Sequence, residues 1–186
     1  MKRRMWLCLF AFAPLAAVTV ATRSVEDEPT VIRPIVSWSG PRSAIDKPEF
    51  HLITTRDQWR NLWSRHVDDK GERLVAHGSG LVCPEIDFGK HMVVAYFRGT
   101  STNSDGEIIK SVHETVDAIV IRFDSFSFQT AGFGGDGGAV TVTPYGVWLL
   151  PRVEKPIIIE ENVQNLKAGE PQWRERHRFD APRKIW

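Results

Sequence analysis

The 186 residues carry 24 lysines and arginines against 23 aspartates and glutamates, with 42% hydrophobic residues and seven tryptophans. So even a charge balance offers no basic field to steer a phosphate backbone, which excludes nucleic acid as an expected partner, and the apolar content excludes a disordered chain. The length supports one well-filled core and not two.

Met1-Lys2-Arg3-Arg4 places three cations before an apolar stretch from Met5 to Ala21, the n-region and h-region of a secretory signal. Thr19 and Ala21 fit the −3 and −1 positions of a cleavage site. Residues 1–21 are therefore expected to be removed, giving a secreted or periplasmic chain that begins near Thr22. The apolar stretch contains Pro14 and is at the short limit for crossing a bilayer, so an uncleaved signal is the only membrane attachment to expect. Cys8 lies within the signal and lacks a lipoprotein setting. Cys83 is then the single thiol of the mature chain, which excludes an internal disulfide and predicts a buried apolar group, the alternative being an intermolecular link. Loss of Lys2, Arg3 and Arg4 leaves a mature net charge near −2.

Residues 22–34 are polar and acidic around Glu26-Asp27-Glu28-Pro29, and predict a flexible lead into a single domain over 35–180. Ile35 to Trp38 is a short strand stopped by Gly40-Pro41, and Phe50 to Thr54 is a second. Thr55-Arg56-Asp57-Gln58 then has the capping-box pattern, with the Thr hydroxyl receiving the N3 amide and the Gln side chain returning to the Thr amide. Trp59, Leu62, Trp63 and His66 stand at i, i+3, i+4 and i+7 and give this helix one apolar face. A polar, glycine-punctuated loop follows, from Asp68 to Pro84.

Beyond Phe88 the period becomes that of strands. Met92 to Phe97 is an unbroken apolar run, as a strand covered on both faces requires. Glu107 to Val112 and Ala118 to Phe123 flank a short turn at Glu114-Thr115-Val116-Asp117 and predict a hairpin. Val140 to Thr143 and Val147 to Leu150 add strands on either side of Pro144-Tyr145-Gly146, and Pro156 to Ile159 adds another. One helix followed by many short strands predicts an α+β fold, mainly antiparallel β, as a curled sheet or small sandwich or barrel with the amphipathic helix near its N-terminal end.

The candidate chemistry is sparse. Gly132-Phe133-Gly134-Gly135-Asp136-Gly137 has the letters of a dinucleotide fingerprint, but a β-rich segment follows where that motif needs a helix N-terminus, so a glycine-rich hairpin loop is expected. His51, His66, His77, His91, His113 and His177 never stand at zinc-ligand spacing. His77-Gly78-Ser79-Gly80 lacks the nucleophile elbow of a hydrolase, and nothing around Cys83 predicts a depressed thiol pKa. No catalytic residue, metal or cofactor is expected. Gln172 to Phe179 alternates so that a regular strand sets Arg174, Arg176 and Arg178 on one face and Trp173 with Phe179 on the other; such cations keep an edge strand soluble, and the alternative is an anion-binding or partner-binding stripe.

Residues 51–151 resemble the C-terminal domain of the protease complex subunit PrcB family. The likeness rests on the order of elements: the helix Thr55-Arg56-Asp57-Gln58-Trp59-Arg60-Asn61-Leu62-Trp63, the Pro84-Glu85-Ile86-Asp87-Phe88 approach to Lys90 through Gly99, the glycine turn and strand at Ser104 to Ile109, and Thr143-Pro144-Tyr145. The loop Gly132 to Gly138 departs from the family pattern. The resemblance implies a non-enzymatic accessory protein that associates with and stabilises an exported protease. It predicts a protein partner, for which a free sheet edge or the groove beside the helix is the expected seat; from residue type and position, not from the resemblance, Phe133, Asp136, Tyr145, Trp148, Trp173, Arg174, Arg176 and Arg178 are the contact candidates. The alternatives are a small-ligand or glycan-binding module using the Gly132 to Gly138 loop, and a hydrolase whose residues meet only in the fold.

Overall fold

The computed structural model describes residues 30–67, 82–127, 138–164 and 169–182. In chain order the elements are β1 (Thr30–Ile32), β2 (Val36–Gly40), β3 (Glu49–Ile53), α1 (Arg56–His66), β4 (His91–Phe97), β5 (Ser101–Thr102), β6 (Ser104–Glu114), β7 (Ile119–Ser127), β8 (Thr141–Val142), β9 (Tyr145–Pro151), β10 (Ile157–Asn162) and β11 (Trp173–Phe179). They form a five-stranded sheet ordered β1-β6-β7-β10-β11, a four-stranded sheet ordered β2-β9-β4-β3, and the small ribbon β5-β8. The fold is α+β and mainly antiparallel, a sandwich and not a closed barrel.

The four-stranded sheet is the middle layer. From β4 and β9, Val93, Ala95, Phe97, Tyr145, Val147 and Leu149 join Trp59, Leu62 and Trp63 of α1 in one core. From the same strands, Met92, Val94, Tyr96, Trp148 and Leu150 join Val112, Ile119, Ile121, Phe123, Ile157 and Ile159 of the larger sheet in a second. Alternating residues of β4 thus enter different cores, which explains a run with no polar position.

The cap of α1 differs from the capping box by one residue. Gln58 N–H donates to Thr55 Oγ1 at 3.3 Å, but Gln58 Oε1 accepts from Thr54 N–H at 3.0 Å and not from Thr55. Asp57 in the first turn and Arg65 in the last complement the helix dipole, and Arg65 also grips Glu49 of β3 at 2.7 Å.

Three differences from the sequence reading have physical causes. Thr30–Ile32, inside the expected flexible lead, pairs with β6 because Ile32 packs against the inter-sheet core. Tyr145 and Gly146 belong to β9 and do not form a turn; Gly146 pairs with both Ser39 and Tyr96. The one parallel pairing, β7 with β10, arises because the chain leaves the larger sheet, runs through β9 of the other, and returns. The β6–β7 hairpin forms as expected, closed by Thr115 N–H to Ala118 O at 2.8 Å.

β6 passes close against β2 of the other sheet. Gly106 has φ of +125°, and a Cβ there would lie 2.6 Å from Gly40 N, so only glycine permits this approach.

Candidate partner-binding edge

Among the described residues β11 is the outermost strand of the larger sheet and pairs with β10 alone. Its partners run Phe179 opposite Ile157, Arg178 opposite Ile158 and His177 opposite Ile159, then Glu175 opposite Glu160, Arg174 opposite Glu161 and Trp173 opposite Asn162. Arg176 is the extra residue of a bulge, and a bulge inverts the alternation beyond it.

The expected sharing of faces is therefore corrected. Ile157, Ile159 and Glu161 face inward, so Phe179, His177 and Arg174 lie on their side; Ile158, Glu160 and Asn162 face outward with Arg178, Glu175 and Trp173. Arg174 and Arg178 occupy opposite faces, as do Trp173 and Phe179. His177 stacks parallel on Phe50 of β3 at 4.9 Å, and Phe50 stacks on Tyr96 at 4.3 Å, which fastens the inner side of β11 to the second sheet.

On the outer face the Arg122 guanidinium lies 5.2 Å from the centre of the Trp173 ring and donates to Glu160 at 2.8 Å. Next to it Asn162 Nδ2 donates to Asp124 at 3.3 Å. These contacts hold the half-buried indole in place beside the strand edge.

Beneath the bulge lies a network that the sequence did not reveal. Arg98, just past β4, donates through Nε and Nη2 to both oxygens of Glu107 at 2.6 and 3.0 Å, and through Nη2 to Glu161 at 2.6 Å. Arg176 reaches the other Glu161 oxygen at 3.3 Å. Glu107 is 0% exposed. Burial is the largest influence on its carboxyl and moves it above the ordinary range, against the bonds from Arg98. Two guanidinium groups thus face two carboxylates across β4, β6, β10 and β11, and the cluster joins the edge strand to both sheets.

The main-chain polarity of the edge follows from the ladder. Val163 N–H donates to Gln172 O at 2.8 Å, so alternation turns the N–H and C=O of Trp173 and Glu175 away from β10. Beyond the bulge Arg178 takes the same outward role. These groups form an open row on which a further strand can be built.

Of the sequence candidates, the fold brings Trp173, Arg174, Arg176 and Arg178 together on β11. Tyr145 and Trp148 are corrected: both are buried in β9, one in each core, and neither presents its ring to a partner. Phe133 and Asp136, with most of the Gly132 to Gly138 loop, lie outside the described residues, as does Ser79. The groove beside the helix holds a cavity of about 190 Å³ lined by Arg56, Trp59, Arg60, Cys83, Pro84 and Ile86. Cys83 is half-buried there, its thiol pushed up by burial, the opposite of nucleophile activation. Among the described residues no three His, Cys, Asp or Glu side chains converge as a metal site requires.

Among the described residues two imidazoles meet a hydroxyl: His113 Nε2 lies 3.2 Å from Ser111 Oγ, two positions away on β6, and the other is His66. His66 Nδ1 lies 2.9 Å from Ser43 Oγ, which also receives Ile45 N–H at 3.0 Å, while Thr143 Oγ1 donates to Ser43 O at 2.6 Å. Phe97 and Tyr145 cover the ring, and His66 and Ser43 are both buried, so the pair closes the helix onto the sheet and has no access to a substrate.

Burial pushes His66 down to about 4. On acidification the unfolded chain takes up this proton first, so stability that is complete above about pH 6.5 is lost as pH falls toward about 4. A shift of this size corresponds to about 3 kcal/mol. His66→Gln is expected to narrow the difference in urea midpoint between neutral and mildly acidic pH, and an undiminished difference would remove His66 as its source.

No family model, curated protein or solved structure matches the chain.

Proposed function

We propose that this chain is an exported, non-catalytic accessory domain that holds a protein partner by accepting a strand on the open edge of β11. The observation that carries the reading is this seven-residue edge strand, paired on one side only among the described residues, with Trp173 fixed at its start by Arg122. Main-chain hydrogen bonds supply affinity in this mode, and the flanking side chains supply selection. The secretory character of residues 1–21 and the resemblance to the PrcB C-terminal domain support an exported protease, or a similar extracytoplasmic protein, as the partner. Stabilisation of that partner is the role to test.

Glu175→Pro is the direct probe. It deletes an N–H that points away from β10, at an edge position where proline is tolerated, and leaves the β10–β11 ladder intact. The immobilised mature chain is expected to retain a protein partner from the native host's exported fraction. The proline variant should lose at least about tenfold in affinity, equivalent to about 1.4 kcal/mol, while Glu175→Gln retains binding. Equal retention by the proline variant, or recovery of glycan alone, would overturn the proposal.

A further inference from the structure

We infer that the strand accepted by β11 is an acidic, extended segment of a different protein chain. The inference rests on the strand-addition reading above and adds the identity of the incoming side chains. β11 reads Trp-Arg-Glu-Arg-His-Arg-Phe, with its three arginines exposed and one acid among them. Glu175 is committed to Arg178 at 2.8 Å. Arg176 touches Glu161 at 3.3 Å yet keeps 38% of its side chain exposed. Arg174 engages no carboxylate among the described residues. The edge is therefore a cationic row on a domain whose mature net charge is negative.

Those charges act differently on the two occupants available to a free edge. A second copy of this chain, paired antiparallel about a two-fold axis, would set arginine against arginine, and like charges placed opposite one another oppose pairing. A strand with acids at alternate positions instead sets carboxylates beside Arg174 and Arg176 on the inner side, with its other residues along Trp173 on the outer face. The same side chains thus oppose self-association and select a foreign acidic strand.

The probes are three end-capped heptapeptides in which valine alternates with glutamate, glutamine or lysine. Each is titrated into the mature chain at low and high salt, with backbone amide shifts as the readout. The glutamate peptide is expected to perturb Trp173–Phe179 and to bind about tenfold more tightly than the glutamine peptide, with the advantage lost at high salt. Arg174→Glu should move the preference toward the lysine peptide. Equal binding of the glutamate and glutamine peptides at β11 would overturn the charge selection and leave strand addition standing. Failure of every peptide to perturb β11 would overturn both. A concentration-dependent dimer through β11 would identify a second copy as the occupant and also overturn the inference.

Discussion

Replacing Arg98 with Met is expected to cost about 3–5 kcal/mol of folding stability, because it leaves a buried carboxylate without its cation. Glu107 is wholly enclosed, and both of its oxygens are bonded to Arg98. Removing the guanidinium eliminates the influence that opposes burial, so the Glu107 carboxyl should rise further. A carboxyl with a folded-state pKa above its unfolded value binds more protons when folded. The Arg98→Met deficit should therefore shrink as pH falls through that raised value toward the ordinary carboxylate range of about 4.3. Arg98→Met combined with Glu107→Met should recover much of the loss, since an apolar pair replaces the fully buried ion pair and Glu161 keeps Arg176 as its cation. Urea denaturation across pH measures both effects, and a pH-independent deficit that the second substitution does not relieve would contradict the assignment.

Trp148→Ala should cost about 3–5 kcal/mol by opening a cavity between the sheets. The indole is 0% exposed, lies 5.8 Å from Phe123, and lies so close to Gly146 that a Cβ there would stand 2.6 Å from its ring. Its Nε1–H is buried with no acceptor in hydrogen-bonding range among the described residues. Trp148→Phe removes that unpaired donor while retaining most of the apolar contact, so it should cost less than about 1.5 kcal/mol. The contrast in urea midpoints checks the placement. A Trp148→Ala variant near the parent, or a Trp148→Phe variant as damaged as the alanine one, would show that the ring does not fill this space.

The parts of the fold that sequence made legible are those fixed by neighbours within one turn or one hairpin. Thr55 and Gln58 start a helix whose i, i+3, i+4 and i+7 residues are the ones buried, and the Thr115 turn closes its hairpin with a local hydrogen bond. The unbroken run in β4 also announced a strand covered on both faces. The hidden parts depend on register over long separations. Arg98 meets Glu161 across 63 residues, and no local pattern links them. The Arg176 bulge has no sequence signature, because strand period gives an uninterrupted alternation, and one extra residue exchanges every later side chain between faces. Tyr145 looked like an anchor beside Pro144, but β9 is an interior strand with a core on each side.

The edge site was legible only in part for the same reason. Alternation identified β11 and its arginines, but Arg122, which fixes Trp173, comes from β7, 51 positions earlier. Its placement follows from the parallel β7–β10 pairing, which sets Arg122 opposite Glu160. Neither sequence distance nor composition carries that information.

Amide hydrogen exchange of residues 22–186, alone and with any protein they capture, is the most direct measurement of the proposed role. Strand addition predicts that the outward amides of Trp173, Glu175 and Arg178 exchange rapidly in the free chain and become protected in the complex, while those of the helix groove change little. Unchanged exchange along β11, with protection confined to the surface around Trp59 and Cys83, would contradict it.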